Sequence, residues 1–462
     1  MTYYFLGIGG IGMSALARYF HTKGDRVMGY DRTPSPLTRE LEAEGIPITY
    51  TEDLSDINGQ FSILNSQFSI LNCLVVRTPA VPEDEAHYVW FRNNGYRIIK
   101  RAELLGQVTK RERALCVAGT HGKTTTSTIL AHLLNQSHVG TNAFLGGISN
   151  NYNSNLLLNH NSNLVVVEAD EYDRSFHHLK PYMSVITSID PDHLDIYGSA
   201  QAYQEGFEQY ASLVENTIVL KAGYRLGMSR VKAKVYTYLG EWKGIGDEPD
   251  FYADNIRVKD GEIRFDLRCS FDAQMSIADC LLGVPVWVNI ENSVAAMAMA
   301  LLNGVTKDEI RAGLASYKGV YRRFNIHVNT PQIAYVDDYA HHPTELHAAI
   351  QSIRALYPER HFIAVFQPHL YTRTRDFAAD FKRVLGEADE LVLLPIYPAR
   401  EEPIPGVTSE ILGGKVVAKN ELTAYLQAQI QKAGKPVVVA TLGAGDIDRL
   451  VPDITANINH KS

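Results

Sequence analysis

Two glycine-rich segments, each placed between an apolar run and an amphipathic stretch, restrict the fold of this chain more than any other feature. The first runs from Gly7 to Gly12, and a helical pattern follows it from Met13 to Lys23. The second runs from Gly119 to Thr125 and follows the apolar stretch Ala114 to Ala118. A strand that leads through a glycine turn into a helix is typical of parallel sheets. Because a similar alternation continues along the chain, we predict an α/β fold.

The length of 462 residues exceeds what a single hydrophobic core usually serves, so we expect roughly three domains. A charged stretch from Lys110 to Arg113 lies before the second strand–loop–helix segment and marks the first boundary. We predict a Rossmann-like domain at residues 1–108, a central P-loop ATPase domain with a parallel sheet at 109–318, and a C-terminal Rossmann-like α/β domain at 319–462. Four apolar runs are predicted strands of the last domain, namely Ile333 to Val336, Phe362 to Phe366, Leu391 to Pro395 and Val437 to Thr441.

The composition narrows the class of protein. Hydrophobic residues make up 45% of the chain and charged residues 21%, and no apolar run reaches the roughly 20 residues that a bilayer span requires. No signal-peptide pattern opens the chain, and none of the four cysteines forms a CxxC pair. We therefore expect a cytoplasmic protein without membrane insertion, disulfide framework or zinc site. The net charge of -8 has the wrong sign for a protein that binds nucleic acid.

A tandem duplication interrupts the first domain. The heptapeptide from Gln60 to Ser66 is repeated from Gln67 to Cys73, with a change only at its last position. We predict that one copy is used as a strand and that the other is a surface insertion. Such an insertion is tolerated because the entropic cost of closing a loop grows slowly with loop length.

The second glycine segment reads GTHGKTT and predicts a phosphate-binding loop. Backbone N–H groups of such a loop converge on phosphate oxygens, and the following helix N-terminus adds a partial positive charge. Lys123 is placed to reach the β- and γ-phosphates, and Thr124 to offer its hydroxyl to Mg²⁺. Since Val117 stands where the longer GxxxxGK[ST] pattern has glycine, an ordinary glycine-rich turn is the alternative. The residues predicted to bind nucleotide here are Gly119, Thr120, His121, Gly122, Lys123, Thr124 and Thr125.

Acidic residues follow two further apolar runs. The run that begins at Leu164 leads into Glu168 and Asp170, and the run from Ser184 to Ile189 leads into a segment that contains His193. In a parallel sheet both runs end at the edge where the phosphate loop lies. Taken singly, Glu168 and His193 would each more often be an ordinary polar residue at a strand end. Because both occur beside the phosphate loop, we predict that they approach Mg²⁺ together with Thr124.

Several further motifs stand in a fixed order along the chain. They are VVEADEYD at 166–173, DPDHLD at 190–195, YRRF at 321–324, DDYAHHP at 337–343 and FQPH at 366–369. With GTHGKTT, this series resembles the Mur ligases, and the resemblance covers nearly the whole chain. It implies three α/β domains: a first that holds the UDP end of a sugar nucleotide, a central ATPase, and a C-terminal domain that closes over the nucleotide and the amino acid.

The resemblance also implies a reaction and its substrates. The carboxylate of UDP-N-acetylmuramate attacks the γ-phosphate of ATP, and the amine of L-alanine then displaces phosphate from the acyl phosphate. The cofactors that it implies are ATP and Mg²⁺, with two ions expected. The expected processes are peptidoglycan biosynthesis and, through it, cell shape and cell division. The oligomeric state is left open.

The first glycine segment has two interpretations. With Asp31 at the end of the next strand, the glycines match the fingerprint of a dinucleotide site, which by itself predicts NAD. In Mur ligases the matching loop binds the UDP-sugar, and Thr78 belongs to another family segment at that site. A glycine turn needed only for packing is a further alternative. The residues that the resemblance assigns to the UDP-sugar are Gly7, Gly9, Gly10, Ile11, Gly12, Asp31 and Thr78.

The family pattern assigns the remaining site residues. It places Lys123 and Arg323 on the transferred phosphate and Glu168 and His193 on magnesium, which makes these four the expected catalytic residues. An interdomain salt bridge is the alternative for Arg323, a helix N-cap for Asn292, and a solvated helix charge for Arg373. The family pattern places Asn289, Asn292 and Asp338 at the nucleotide, and His341, His369 and Arg373 at the amino acid.

The sequence departs from the family pattern at two positions, and rival functions remain. Val288 stands where relatives carry histidine, and Leu370 where many carry arginine. The nearest rival is a ligase that adds a recycled murein peptide to the same UDP-sugar. A rival of another class is an NAD-binding oxidoreductase built on the first glycine segment.

Overall fold

A computed structural model describes residues 1–54, 72–78, 80–159, 161–192, 194–227, 230–259, 262–399 and 401–459. His193 and nearly all of the duplicated segment lie outside the described residues, so the predictions made for them stay predictions. The described chain forms two compact units. Unit 1 comprises Met1–Tyr252, Arg268–Ser276 and Asn292–Gly313, and unit 2 comprises Ala253–Leu267, Ile277–Glu291 and Leu314–Ser462. The three-domain boundaries given above stay a prediction.

Unit 1 begins with a parallel five-stranded sheet. Its strands lie in the order β3-β2-β1-β4-β5, which is the arrangement of a Rossmann-like domain. The strands are β1 (Thr2–Leu6), β2 (Arg26–Tyr30), β3 (Ile48–Thr49), β4 (Cys73–Arg77) and β5 (Arg97–Lys100). The helices are α1 (Ile11–Thr22), α2 (Pro36–Ala43), α3 (Ala86–Asn93) and α4 (Arg101–Thr109). The five residues of β1 are all buried, as expected for a central strand covered on both faces.

The second sheet of unit 1 has the order β8-β7-β9-β6-β10-β11-β12, and the first residues of β13 pair with β12. It is parallel except for the hairpin of β7 and β8. Its strands are β6 (Arg113–Ala118), β7 (Asn142–Ser149), β8 (Ser154–Leu157), β9 (Leu164–Ala169), β10 (Pro181–Ile186), β11 (Thr217–Lys221), β12 (Lys234–Leu239) and β13 (Phe251–Lys259). The helices that follow along the chain are α5 (Lys123–Asn135), α6 (Leu194–Tyr197), α7 (Ala200–Ala211), α8 (Trp287–Leu302) and α9 (Lys307–Ser316).

Unit 2 contains a short antiparallel pair and a six-stranded sheet. The pair is β14 (Glu262–Cys269) with β15 (Ile277–Leu281). The sheet has the order β16-β17-β21-β18-β19-β20, with β16 antiparallel to β17. Its strands are β16 (Asn325–Asn329), β17 (Ile333–Asp338), β18 (His361–Phe366), β19 (Glu390–Leu393), β20 (Lys415–Val416) and β21 (Val437–Leu442). The helices are α10 (Pro343–Leu356), α11 (Tyr371–Asp376), α12 (Ala378–Leu385), α13 (Leu422–Ala433) and α14 (Val451–Asn459).

Short 3₁₀ segments complete the described secondary structure. They are Tyr172–His178, Ala273–Met275, Ser409–Leu412, Lys419–Glu421 and Asp446–Leu450. Among the described residues, every helix is either too short or too polar to cross a bilayer. The predicted α/β class with parallel sheets is confirmed, and the four strands predicted for the last domain are β17, β18, β19 and β21. Strand β19 ends two residues earlier than predicted, at Leu393.

Two local predictions are wrong. Helix α8 begins at Trp287, so Asn292 lies inside the helix and cannot be its N-cap. Strand β10 ends at Ile186 rather than Ile189, because Thr187 and Ser188 leave the ladder and bond to the phosphate loop.

Candidate active site

The segment from Gly119 to Lys123 joins β6 to α5 and is fixed from the side of β10. The Thr120 N–H donates to the Ser188 carbonyl at 3.1 Å, and its hydroxyl donates to the Asp190 carbonyl at 2.7 Å. The His121 N–H donates to the Ser188 hydroxyl at 2.9 Å. Residues that follow the neighbouring strand therefore hold the loop in one shape.

Both glycines of this loop occupy conformations that other residues rarely adopt. Gly119 has φ +136°, and a Cβ there would lie 2.0 Å from the Thr187 hydroxyl oxygen. Gly122 has φ +82°, and a Cβ there would lie 2.7 Å from the Asn292 side-chain oxygen. Left-handed backbone and close approach explain why glycine is needed at both positions. The turn leaves the N-terminal N–H groups of α5 at the loop, as an anion-binding site requires.

The Lys123 ammonium lies beneath the loop rather than in solvent. It donates to the Gly119 carbonyl at 2.7 Å and to the Thr120 carbonyl at 3.3 Å. It also pairs with the carboxylate of Glu171, at 3.0 Å from Oε1 and 2.7 Å from Oε2. The exposed fraction of the Glu171 side chain is 2%, and burial raises the pKa of this carboxyl, whereas the Lys123 charge lowers it.

Glu168 lies at the end of β9, beside the strand that leads into the loop. Strands β9 and β6 pair in parallel, with Glu168 opposite Val117. The carboxylate packs on Gly146, where a Cβ would lie 2.0 Å from Glu168 Oε2. Gly146 lies inside strand β7. The absence of a side chain at Gly146 makes room for the acid.

The donor set fits a magnesium ion in its chemistry. Mg²⁺ prefers oxygen ligands, and Glu168 offers a carboxylate while Thr124, in the first turn of α5, offers a hydroxyl. Within the described ranges, no group of three or more His, Cys, Asp or Glu side chains is arranged for a metal. The third predicted ligand, His193, lies outside those ranges.

The first glycine segment is a tight turn at the N-terminus of α1. Gly7 has φ +81°, and a Cβ there would lie 2.7 Å from the Thr78 methyl carbon. The Asp31 carboxylate accepts a hydrogen bond of 2.8 Å from the Gly9 N–H. In this structure Asp31 therefore holds the loop itself. The remaining residues assigned to the UDP-sugar, Gly10, Ile11 and Gly12, form the start of α1.

A cavity of about 210 Å³ connects the start of α1 with the end of β9. Arg101, the first residue of α4, lies against Gly12, where a Cβ would be 2.6 Å from its Nη1. The Arg101 guanidinium also pairs with Asp170 at 3.5 Å. The residues that line the cavity are Ile11, Gly12, Ala15, Leu16, Arg101, Leu105, Phe144, Leu145, Gly146, Glu168 and Asp170. The cavity thus lies between the end of the first glycine segment and the end of β9, and it carries charges of both signs.

The predicted nucleotide residues of α8 have different surroundings. Asn292 belongs to unit 1, and its side-chain oxygen accepts a hydrogen bond of 3.2 Å from the Thr126 hydroxyl, next to the phosphate loop. Asn289 belongs to unit 2 and donates to the Val284 carbonyl at 3.3 Å. Val288 is exposed.

In unit 2, the two arginines of YRRF are not equivalent. Arg322 is buried and donates to the Gly445 carbonyl at 3.2 Å, so its role is structural. Arg323 is half-buried, with its guanidinium 5.4 Å from the centre of the Tyr339 ring. Asp338 accepts hydrogen bonds from two backbone N–H groups, while burial raises its pKa to about 6 against the opposing charge of Arg323.

The three residues assigned to the amino acid come together in unit 2. The rings of His341 and His369 are 6.1 Å apart, and Arg373 Nη1 lies 3.5 Å from His369 Nδ1. Burial, followed by the charge of Arg373, lowers the pKa of His369 to about 4, so this imidazole is neutral near pH 7. Leu370 begins the turn into α11 with φ +71°. A neutral imidazole beside a half-buried guanidinium suits a small carboxylate.

Sequence reasoning missed two charged residues of unit 1. Glu171 belongs to the VVEADEYD motif but lies beyond the end of β9, so the strand pattern indicates Glu168 and not Glu171 as the acid at the sheet edge. Arg101 opens helix α4 directly after β5, which ends at Lys100. A basic residue at the start of a helix that follows a parallel strand is a sequence feature that indicates a position near a binding site.

Three models of known families match this chain. A model of the Mur ligase family, catalytic domain, matches residues 2–113, a Mur ligase middle-domain model matches 117–300, and a Mur ligase, glutamate ligase domain model matches 322–445. Together they cover most of the chain, and the chain belongs to the Mur ligase family.

Individual relatives are similar over nearly the full length. The chain is 53% identical over 461 residues to a UDP-N-acetylmuramate–L-alanine ligase from Porphyromonas gingivalis, covering 97% of each chain. It is 52% identical over 456 residues to an enzyme of the same name from Parabacteroides distasonis, covering 98% of this chain and 96% of that one.

Solved structures show the same relationship. A UDP-N-acetylmuramate-alanine ligase from Thermotoga maritima matches with a TM-score of 0.78 and 25% identity, covering 100% of both chains. A murein peptide ligase from Psychrobacter arcticus matches with a TM-score of 0.66 and 20% identity, covering 100% of this chain and 99% of that one, and it supports the fold alone.

Proposed function

We propose that this protein ligates L-alanine to the carboxylate of UDP-N-acetylmuramate at the expense of ATP, in peptidoglycan biosynthesis. The observation that carries the proposal is 53% identity across 97% of the chain to an enzyme of that name. The paired Lys123 and Glu171, the Glu168 carboxylate at the adjacent strand end, and the His341–His369–Arg373 group support the same chemistry. We also propose a cytoplasmic location, where ATP and nucleotide sugars are available, and the domain boundaries near residues 108 and 318.

The reaction has two displacement steps. A carboxylate oxygen of the sugar substrate forms a bond to the γ-phosphorus of ATP, and the bond from that phosphorus to the ADP oxygen breaks. The amine nitrogen of L-alanine then bonds to the acyl carbon, phosphate leaves with the electrons of the carbon–oxygen bond, and the amine loses a proton. No covalent enzyme intermediate is required, so positioning and neutralisation of charge supply the catalysis.

Each group of residues has a proposed part in these steps. The phosphate loop binds the polyphosphate through its backbone N–H groups, and Lys123 and Arg323 neutralise charge on the transferred phosphoryl group. Asn289, Asn292 and Asp338 bind the nucleoside. Thr124, Glu168 and His193 would hold Mg²⁺, which would supply further neutralisation of the phosphate charge. The first glycine segment binds the UDP end, with Asp31 keeping the loop in shape.

The amino-acid subsite lies in unit 2. Arg373 binds the carboxylate of L-alanine, since a guanidinium donates two parallel hydrogen bonds to a carboxylate. His341 and His369 line the same place, and their low pKa values keep them uncharged beside an incoming ammonium. Because Leu370 replaces the arginine found in many relatives, Arg373 is the guanidinium on which this subsite depends.

The decisive experiment measures phosphate release by the purified protein with ATP, Mg²⁺ and UDP-N-acetylmuramate while single amino acids are added. We expect release to depend on L-alanine and to yield one ADP for each amide formed. A second arm supplies the murein tripeptide L-alanyl-D-glutamyl-meso-diaminopimelate, and a third titrates NADH. Faster turnover with the tripeptide would reassign the enzyme to murein recycling, and NADH binding without ATP binding would overturn the ligase proposal altogether.

A further inference from the structure

The hydrogen-bonding capacity of the Lys123 ammonium is fully used by two carbonyls of the loop and by the carboxylate of Glu171. An ammonium has three N–H donors and no acceptor. Here its partners are the Gly119 carbonyl, the Thr120 carbonyl and the Glu171 carboxylate. The longest of the three contacts is the 3.3 Å bond to Thr120, and the shortest separation from Glu171 is 2.7 Å. A phosphate oxygen that approaches Lys123 therefore displaces the Thr120 bond most easily, while the ion pair with Glu171 is retained.

Glu171 itself is held from several directions. Its backbone carbonyl accepts a hydrogen bond of 2.8 Å from the Tyr197 hydroxyl. On one side of it Arg101 pairs with Asp170 at 3.5 Å, and on the other Lys100 pairs with Asp173 at 2.6 Å.

The backbone after Glu171 is also constrained. Asp173 and Arg174 have φ of +50° and +54°, a left-handed conformation that non-glycine residues keep only where the surroundings enforce it. The Arg174 guanidinium lies 5.1 Å from the centre of the Tyr197 ring. The backbone that carries Glu171 is therefore held in place, and its carboxylate, which is only 2% exposed, offers a fixed partner to the flexible lysine side chain.

We propose that Glu171 is a positioning residue that holds the Lys123 ammonium where the transferred phosphoryl group meets it. The proposal rests on the proposed function and adds to it a residue outside the nucleotide and metal ligands. A lysine side chain has four flexible methylene groups, so its charge is well placed only if something fixes it. Charge fixed before the reaction stabilises the transition state without reorganisation.

The test uses Glu171→Gln, which keeps the shape of the side chain and removes its charge. In steady-state phosphate release with L-alanine, we expect kcat to fall by about 10- to 100-fold, the loss typical when a residue that orients a ligand is removed. We expect KM for UDP-N-acetylmuramate to stay within about twofold, because Glu171 does not contact that substrate in the proposal. A purely structural ion pair would lower thermal stability without this division between kcat and KM.

A double-mutant cycle decides whether Glu171 acts through Lys123. Single-turnover phosphate release is measured for Glu171→Gln, Lys123→Ala and the double variant, since this assay detects very slow reactions. If Glu171 works only by holding Lys123, the double variant is no slower than Lys123→Ala alone. Additive losses, or a Glu171→Gln enzyme as fast as the wild type, would refute the proposal.

A matched control separates positioning from general destabilisation. Glu309 is another carboxylate of unit 1 that accepts hydrogen bonds from two backbone N–H groups, of His138 and Thr306. We expect Glu309→Gln to lower the melting temperature while leaving kcat unchanged. If the wild-type protein releases no phosphate at all, the proposed function fails; if it turns over and Glu171→Gln matches it, only the present inference fails.

Discussion

At the scale of single residues, two arginines of α11 differ in a way that their sequence does not show. Arg373 is half-buried and lies 3.5 Å from His369, whereas Arg375 is exposed and pairs with its neighbour Asp376 at 2.7 Å. Both stand in one short helix and are two positions apart, so only the fold distinguishes the half-buried guanidinium from the exposed one. The surroundings of Arg375 are those of a solvated helix charge, while the role of Arg373 in binding the amino acid stays a prediction.

Replacement of Arg373 by alanine should weaken the binding of L-alanine specifically. A charged hydrogen bond to a carboxylate contributes about 1.5–3 kcal/mol, which corresponds to a rise in KM for L-alanine of about tenfold or more. KM for ATP should change by less than about twofold, since the nucleotide is bound elsewhere in the proposal. Initial rates over a range of L-alanine concentrations measure both values.

The matched control for that prediction is Arg375→Ala, which removes the same charge from the exposed face of the helix. We expect its KM for L-alanine to equal that of the wild type. Equal effects of the two substitutions would mean that the helix acts through its overall charge, and Arg373 would then have no place in the amino-acid subsite.

Most residues of the candidate site could be predicted from the sequence, but their hydrogen-bond partners could not. Lys123 and Glu168 follow from strand–loop–helix patterns, because the ends of parallel strands share one edge of a sheet. The pairing of Lys123 with Glu171 could not be predicted, since Glu171 lies after the end of β9 in a segment with no regular pattern. Hydrogen-bond partners of a flexible side chain are decided by the folded surroundings and not by spacing.

At the scale of secondary-structure elements, the phosphate loop depends on the strand beside it. The two residues after β10, Thr187 and Ser188, bond to the loop, which explains why β10 is shorter than its apolar run. Similarly, β7 continues through Gly146 and Gly147, residues that usually interrupt a strand. In both places the packing around Glu168 and the loop overrides local propensity.

This dependence predicts the effect of alanine at Gly119. A left-handed alanine costs about 1–2 kcal/mol, and overpacking against the Thr187 side chain adds about 1–3 kcal/mol. The clash exists because a Cβ at Gly119 would lie 2.0 Å from the Thr187 hydroxyl oxygen. We therefore expect Gly119→Ala to lower the melting temperature and to abolish ATP binding, as measured by differential scanning fluorimetry with and without ATP.

Gly223 provides the control for backbone strain alone. It has φ +95°, and a Cβ there would meet nothing within 4 Å. Gly223→Ala should show only the smaller, conformational part of the destabilisation and should keep its ATP-dependent rise in melting temperature. If both variants bind ATP normally, the loop tolerates a side chain at Gly119 and the proposed contact between its backbone and phosphate is wrong.

At the scale of the whole molecule, the alternation of strands and helices predicted the fold class and the parallel sheets, since hydrophobic periodicity records which faces are buried. The strand order within each sheet could not be read in the same way. In unit 2, for example, β21 is the last strand in sequence but lies between β17 and β18. The pairing of strands that are far apart in the sequence does not alter the local hydrophobic pattern, so that pattern does not predict it.

The tandem duplication allows a prediction at this largest scale. The five-stranded sheet of unit 1 uses β4, which begins at Cys73, the last residue of the second copy. Apart from Asn72 and Cys73, both copies lie outside the described residues, between the described elements β3 and β4. Deletion of residues 60–66 shortens a connection whose closure cost changes by only about 0.6 kcal/mol for each doubling of length. We expect a melting temperature and a phosphate-release rate close to those of the intact protein.

A deletion of equal length within a helix of the same domain serves as the control for the deletion of residues 60–66. Residues 86–92 form most of α3, whose His87 and Phe91 side chains are fully buried, so their removal opens a cavity beneath the helix and leaves the β4–β5 connection without its cover. This variant should lose cooperative unfolding and activity. If deletion of 60–66 is as damaging as deletion of 86–92, the first copy of the repeat is part of the folded domain, and the second copy is not sufficient to lead the chain into β4.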